Sequence, residues 1–307
     1  SFRRTSTVDT ILVLVTLGLY IFYINYATDA KDRENRSLQP GSAAGGWIGS
    51  ILFAVVAATI EHTYVMQPFT IPTSSLEKTL LVGDYLFVSK FHYGARTPMT
   101  AVAFPMVHDT IPGIGVKSYL NKPQIPYFRL PGFEKIERND IVVFNWPVDT
   151  VQKFFDRSGM RFNKPIDKKS NYVKRAVGLP GDSLKIVDGK VYIDNEPLQL
   201  PDRAKPQYSY IGTTKGQAQG FDPYTMYKMY GITDGFYYDP NTSQFYIQSL
   251  SDEAYQRLKN NPNVASLERQ LAPAGKGDPK SFPNDRKTPW NGDNFGPIHI
   301  PKKGETV

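Results

Sequence analysis

The chain of 307 residues contains no cysteine and only 4 histidines. The absence of cysteine excludes disulfide bonds, thiolate metal sites and cysteine nucleophiles. The histidines form no metal-ligand spacing, and neither an H-E-x-x-H nor a G-x-S-x-G motif occurs, which argues against a zinc peptidase and an α/β-hydrolase. A serine nucleophile in this chain would therefore need its base from among the lysines.

The chain also lacks a dense block of charge of one sign. Lys and Arg total 36 against 29 Asp and Glu, which gives a formal net charge of +7. Because the basic residues are scattered among acidic ones, the pattern is typical of a solvated surface. We expect no nucleic-acid partner.

Two apolar runs near the start of the chain predict transmembrane helices at 10–27 and 45–64. The first run is uncharged and close to the roughly 20 residues that span a bilayer. Residues 1–9 are predicted as a tail and 28–44 as the loop of a membrane hairpin. A buried core helix or an uncleaved signal sequence is the alternative for each run, and basic residues on both sides of the first leave the orientation open.

Beyond residue 72, short β-prone runs are broken by Gly, Pro, Asn and Asp, which indicates an antiparallel β domain. Strands are predicted at 85–91, 141–145 and from 172, with hairpins at 184–193, around Asp188-Gly189, and at 235–247. Long ordered loops are predicted at 97–131 and 201–223. Short helices are predicted at 251–259, with Ser251 as N-cap, and at 264–271.

Ser75 lies between two apolar segments directly after the second apolar run, where it could do chemistry at a bilayer surface. Residues 172–182, YVKRAVGLPGD, predict a strand on which Lys174 points opposite to Arg175, followed by a turn whose Asp182 is expected to bond nearby backbone. Burial of the Lys174 face would lower the pKa of that amine and let it accept the proton of Ser75. The alternative is an ordinary surface lysine beside an arginine.

Three segments in order resemble the sequence boxes of bacterial type I signal peptidases. The family's serine box, I-P-S-x-S-M-x-P-T-L-x-x-G-D, is similar to IPTSSLEKTLLVGD at 71–84. Its G-D-I-V-V-F box is similar to NDIVVF at 139–144, and its K-R-x-x-G-x-P-G-D box is similar to KRAVGLPGD at 174–182. The order and separation of all three boxes fit the family.

The resemblance implies that Ser75 is the nucleophile and Lys174 the general base. It further implies an oxyanion hole made by the Thr73 hydroxyl and the backbone N–H of Ser75, and no metal or other cofactor. Shallow apolar pockets for small residues at the −1 and −3 positions would be lined by Ile71, Pro72, Leu76, Leu80, Tyr172 and Val173.

Some positions depart from the family pattern. Leu76, Lys78 and Asn139 stand where the family has Met, Pro and Gly, and none of these changes removes a reacting group. The family's final box, G-D-N-R-x-x-S-x-D, whose Ser and Asp position the lysine, is absent, since GDNF at 292–295 is similar only to its opening. We expect that the chain is truncated before that box.

The sequence therefore predicts a mainly β fold: an antiparallel catalytic β domain of signal-peptidase type at 65–200, preceded by transmembrane helices and followed by a loop-rich insertion at 201–307. The expected function is removal of signal peptides from exported preproteins at the outer face of the bacterial inner membrane, with signal peptides and membrane lipid as partners. The alternatives are a catalytically inactive, membrane-tethered β-rich interaction module and a LexA-like self-cleaving protease. Lys78 and Lys90 are rival bases, of which Lys78 is expected to be solvated and charged.

Overall fold

The computed structural model describes residues 7–16, 19–28, 43–151, 158–216, 220–283, 285 and 287–306. Most of the predicted tail at 1–9 and of the predicted loop at 28–44 lies outside the described residues. The chain divides into two compact units, Ser1–Thr59 and Ile60–Val307. The elements named below are numbered along the chain.

The described residues of the N-terminal region form the helices α1 (Thr7–Val15), α2 (Leu19–Ala27) and α3 (Ala43–Tyr64). The predicted span at 10–27 is thus divided between two helices of 9 residues each, and it stays a prediction. Among the described residues, α3 is the one helix long and apolar enough to cross a membrane, with a mean hydropathy of 1.9 over its most apolar window. Its 22 residues extend about 33 Å at about 1.5 Å per residue, close to the hydrocarbon thickness of a bilayer.

Two antiparallel ribbons follow α3 in the chain. Strand β1 (Met66–Thr70) pairs with β2 (Tyr85–Ser89), and a 3-10 helix, Ser74–Leu76, lies in the connection between them. Strand β3 (Ile141–Asn145) pairs with β4 (Asn171–Arg175) in a register that sets Val142 opposite Lys174. All three strands predicted before residue 180 are therefore confirmed.

Strands β5 (Ser183–Val187), β6 (Lys190–Ile193) and β7 (Glu196–Pro197) form a meander. The β5–β6 turn has φ of 49° at Asp188 and 71° at Gly189. Positive φ at both central residues is what a type I′ two-residue hairpin turn requires, and β5 pairs with β6, so this predicted hairpin is confirmed.

Residues 207–269, which we call the inserted subdomain, combine a four-stranded antiparallel sheet with two helices. The strands are β8 (Gln207–Thr214), β9 (Phe236–Asp239), β10 (Gln244–Ser251) and β11 (Val264–Arg269), in the order β11-β8-β10-β9, and the helices are α4 (Pro223–Tyr230) and α5 (Asp252–Lys259). The subdomain has its own hydrophobic core, built from Tyr210, Phe221, Met226, Tyr230, Ile232, Phe245, Ile247, Leu250, Ala254, Leu258, Val264 and Leu267.

Two predictions in this region are wrong, and two are confirmed. Residues 264–271 do not form a helix: the apolar spacing of Val264 and Leu267 suits a helix, but both side chains are buried by pairing of β11 with β8. The predicted loop at 201–223 contains β8, the strand between β11 and β10. The second hairpin is formed by β9 and β10, and Ser251 caps α5 by accepting a hydrogen bond from the Ala254 N–H at 3.3 Å.

The chain returns to the meander near its end, where β12 (Phe295–His299) pairs with β5. This sheet has the order β12-β5-β6-β7, so residues 295–299 belong with the β domain and not with the inserted subdomain. Residues 97–131 form an ordered loop with isolated antiparallel bridges at Thr100–Gln124, Ala103–Tyr119 and Thr110–Lys117, and Arg129 also bridges to Arg96, directly before the loop. The predicted mainly antiparallel β architecture is confirmed.

Candidate catalytic site

The predicted nucleophile, Ser75, is exposed on the 3-10 helix, none of whose three residues is buried. Ile71 holds the chain at the start of this segment. It is 4% exposed, its N–H donates to Asp84 O at 3.0 Å, and its carbonyl accepts from the Gly83 N–H at 2.9 Å. The Ser75 hydroxyl is therefore accessible on a short segment. The start of that segment is held by backbone hydrogen bonds between the end of β1 and the start of β2.

Lys174 lies on β4, and its Nζ hydrogen-bonds the Oγ of Ser75. The side chain is half-buried, and desolvation lowers the pKa of Lys174 below its ordinary value. Burial disfavours the ammonium form, so the neutral amine is populated at lower pH than in water. In that neutral form the same contact lets Nζ accept the hydroxyl proton of Ser75.

Contact geometry separates Lys174 from the two rival lysines. The pKa of Lys90 is also lowered, first by desolvation and then by Arg96, but its Nζ donates to Gln67 Oε1 at 2.7 Å. Lys78 donates to Gly231 O at 2.6 Å. The expectation that Lys78 is solvated is wrong, because a carbonyl of the inserted subdomain binds its ammonium and the residue is half-buried.

The residue predicted to donate to an oxyanion, Thr73, is exposed and has extended backbone with φ −139° and ψ 151°. Its side chain makes no capping hydrogen bond to the 3-10 helix, so the hydroxyl is not committed there. The oxyanion role of Thr73 stays a prediction.

The six residues predicted to line substrate pockets differ in exposure. Ile71 is buried and offers a substrate little surface, whereas Pro72 is exposed. The other four are half-buried: Leu76, Leu80, Tyr172 and Val173. The Tyr172 ring packs on Trp146 with a centroid separation of 5.0 Å. The pocket assignments remain predictions.

The turn after β4 is held by an ion pair that the sequence did not reveal. Asp182 accepts hydrogen bonds from the Leu179 N–H at 2.6 Å and from Arg138 Nη1 at 2.7 Å. Arg138 also donates to Val177 O at 2.8 Å. The Arg138 hydrogen bond, followed by the Leu179 N–H, lowers the pKa of Asp182. Asp182 thus stabilises the segment that follows Lys174.

Asp182→Asn should lower the free energy of unfolding near neutral pH by about 1 to 3 kcal/mol, because an amide loses the charged bond to Arg138. A lowered folded-state pKa gives stability that is present above the unfolded pKa and is lost as pH falls through the folded pKa. The difference between variant and wild type should therefore shrink on acidification, as measured by denaturant unfolding at several pH values. Asp188→Asn, in a turn that tolerates asparagine, is the control, and an equal loss in both variants would contradict the assignment.

A second ionic cluster lies elsewhere in the β domain. The Lys164 side chain, 1% exposed, pairs with Asp109 at 3.0 Å and Asp149 at 3.1 Å, and Asp149 also accepts from the Ser170 hydroxyl at 2.8 Å. Asp149 and Lys164 line a cavity of about 330 Å³ that includes neither Ser75 nor Lys174. Because its charges are mutually paired, the cluster is best explained as structural.

A serine hydroxyl in contact with a lysine amine of lowered pKa is the arrangement of a Ser-Lys hydrolase. The family described as signal peptidase, peptidase S26, matches residues 44–244. This match covers more than half of the chain and includes both ribbons, Ser75, Lys174 and all of α3 except its first residue. The chain belongs to the signal peptidase S26 family.

Curated relatives carry the name Signal peptidase I. The protein from Rickettsia massiliae (strain Mtu5) is 26% identical over 205 residues, which are 65% of this chain and 63% of the relative. The Rickettsia prowazekii (strain Madrid E) protein is 27% identical over 209 residues, or 65% and 64% of the two chains. The chain thus spans somewhat less than two thirds of the length of these relatives. No solved structure matches it.

Proposed function

We propose that this protein is a membrane-tethered serine endopeptidase that removes signal peptides from exported preproteins. The observation that carries the proposal is the hydrogen bond between Lys174 Nζ and Ser75 Oγ, inside the segment that matches the signal peptidase family. The same contact argues against the inactive interaction module, which has no need to bring these two side chains together.

In the proposed reaction, neutral Lys174 takes the Oγ proton as Ser75 attacks the scissile carbonyl carbon. The oxyanion is stabilised by the backbone N–H of Ser75 and the hydroxyl of Thr73. Collapse breaks the C–N bond, and the leaving amine takes the proton from the Lys174 ammonium. Lys174 then deprotonates a water molecule, which hydrolyses the ester on Ser75 and regenerates both groups.

Specificity would follow from the apolar side chains near these two residues. Leu76 adjoins Ser75 in the chain, and Tyr172 and Val173 directly precede Lys174. All three are half-buried, so each keeps part of its apolar side chain accessible. Shallow surface suits small residues at −1 and −3, as in an Ala-x-Ala cleavage site.

Lipid contact is supported by α3 and by the ribbon that begins two residues after it. The ribbon exposes large apolar side chains, of which Tyr85 is 81% and Phe87 71% exposed. An apolar face of this kind can enter the interfacial region of a bilayer. We propose a location at the outer face of the bacterial inner membrane, with 10–27 as a second span and the β domain formed by β1–β7 together with β12.

The direct test incubates the protein in detergent micelles with a preprotein that bears one Ala-x-Ala site, and locates the cut by intact mass. One cut is expected, directly after the second alanine. A matched preprotein with Phe at −1 should not be cleaved, because the shallow surface cannot accept that ring. Failure to cleave the first substrate would favour the inactive module, and equal cleavage of both would contradict the specificity.

A further inference from the structure

Lys78 links the turn that carries Ser75 to the inserted subdomain. Its Nζ donates to the carbonyl of Gly231, 153 residues away in the chain, at 2.6 Å. Gly231 ends α4 in the left-handed conformation with φ 63°, and its N–H closes the helix by donating to Tyr227 O. The ammonium is therefore bound where the partial negative charge of a helix C-terminus is concentrated.

The acceptor is rigidly held. Helix α4 is capped at its start by Asp222, whose Oδ1 accepts from the N–H groups of Tyr224 at 3.1 Å and Thr225 at 3.0 Å. Met226 and Tyr230 of the same helix are buried in the core of the inserted subdomain. Lys78 thus connects the half-buried turn after Ser75 to a well-packed element.

The backbone at Lys78 supports a specific role for its side chain. Glu77 has φ −50° and ψ 147°, Lys78 has φ 69°, and the Thr79 N–H donates to Leu76 O at 2.9 Å. This is a type II turn, whose third residue strongly favours glycine. A proline cannot adopt φ 69°, and a lysine there is strained. Such a conformation persists where the surrounding structure holds it, and here the side chain is held by its bond to Gly231 O.

The 3-10 helix has no buried residue, and the turn after it is held by a few contacts. Glu77 is 9% exposed, and Thr79 Oγ1 donates to Arg203 O at 3.1 Å and accepts from Arg175 Nη2 of β4 at 3.4 Å. The bond from Lys78 to Gly231 links this turn to the inserted subdomain. Ser75 is three residues from Lys78, whereas its partner Lys174 is on β4. A movement of the turn therefore changes the separation of Ser75 Oγ and Lys174 Nζ, and a misplacement of about 1 Å can cost about 100-fold in rate.

We propose that Lys78 is a positioning residue through which the inserted subdomain holds Ser75 against Lys174. The inference rests on the proposed peptidase function and adds to it a role for the subdomain. It also accounts for the lysine at a position where the family has proline.

The first test compares Lys78→Met and Lys78→Gly in the preprotein assay. Both should lower kcat by about tenfold and change KM by less than about twofold, since the contact orients the nucleophile and does not touch substrate. Lys78→Gly is the more informative variant. Glycine suits the positive φ of the turn, so any loss of kcat in this variant is due to the lost hydrogen bond to Gly231 and not to backbone strain. Lys78→Arg, which keeps a cationic donor, should recover part of the loss.

Lys205→Met is the matched control. Lys205 forms an exposed pair with Glu253 at 2.8 Å and makes no contact with the turn in the described hydrogen bonds, so its loss should leave kcat unchanged. The pKa of Lys174 is lowered by desolvation and not by a neighbouring charge. The acidic limb of the pH profile should therefore keep its midpoint in Lys78→Met. A shifted limb would assign Lys78 an electrostatic role and overturn the positioning role.

A double-mutant cycle with Gly231→Ala tests the acceptor. A Cβ at residue 231 would lie 3.2 Å from Lys78 Nζ and would be strained at φ 63°. If both variants act through one contact, the double variant should have a kcat no lower than the worse single variant. Multiplied losses would mean independent effects and would overturn the proposal.

Two further readouts separate this inference from the proposed function. Cleavage at the wild-type rate by Ser75→Ala would contradict the peptidase mechanism. An inactive Ser75→Ala variant together with fully active Lys78→Met and Lys78→Gly variants would contradict only the positioning role of Lys78. Independently of activity, hydrogen exchange at the Thr79 and Leu80 amides should accelerate in Lys78→Met, with the core amides of β10 unchanged. Unchanged exchange at those two amides would also overturn the proposal.

Discussion

Ser75→Ala is expected to lower kcat/KM for preprotein cleavage by at least about 10⁴-fold. In the proposed reaction this change removes the atom that attacks the scissile carbonyl, and Lys174 then has no hydroxyl to deprotonate. The loss should appear in kcat, since the side chain contributes little to substrate binding. Thermal stability should be unchanged, because Ser75 is exposed and the 3-10 helix has no buried residue.

Ser74→Ala is a closely matched control for this prediction. It changes the neighbouring serine of the same 3-10 helix. Ser74 takes part in the helix through its backbone carbonyl, which accepts a hydrogen bond from the Glu77 N–H at 2.9 Å. Alanine preserves that bond, so cleavage should stay near the wild-type rate. Full loss in Ser74→Ala with activity retained in Ser75→Ala would place the nucleophile one residue earlier than the motif does.

The parts of the fold that the sequence predicts well depend on local chemistry. Residues 141–144 are a run of β-branched and aromatic residues that Asp140 precedes and Asn145 ends, and 141–145 form β3 with the predicted bounds. Asp188-Gly189 supplies positive φ, and Ser251 supplies an N-terminal cap, so the β5–β6 hairpin and α5 are both found. Ser75 and Lys174 lie 99 residues apart, yet each lies in its own short motif that can be read alone.

The parts that sequence does not predict depend on distant partners. Residues 264–269 have apolar residues at helical spacing, and only the presence of β8 makes them a strand. Lys78 reads locally as a solvated residue beside Glu77, because nothing near it in sequence indicates Gly231 as its acceptor. The Arg138–Asp182 pair joins residues 44 apart and has no motif of its own. In each case tertiary pairing overrides or adds to the local preference.

Lys174→Met should lower kcat/KM by about 10³-fold or more, because methionine keeps a stem of similar volume and removes the proton acceptor. The double variant Ser75→Ala, Lys174→Met should be no less active than the worse single variant, since the two residues act as one unit. Independent, multiplied losses would contradict a shared proton transfer. A variant that retains most of the wild-type rate would show that another group is the base.

The pH profile distinguishes Lys174 from Lys90, whose pKa is also lowered. Only the neutral amine accepts a proton, so kcat/KM should rise as pH increases through the pKa of the catalytic lysine, and burial moves that rise below the ordinary lysine range. Lys90→Met should retain both the rate and the position of the acidic limb, because Lys90 contacts Gln67 and not Ser75. If the acidic limb of the kcat/KM profile moved in Lys90→Met and stayed in place in Lys174→Met, Lys90 would be the base. The contact between Lys174 and Ser75 leads us to expect the opposite, since a lowered pKa serves proton transfer only where the amine reaches the hydroxyl.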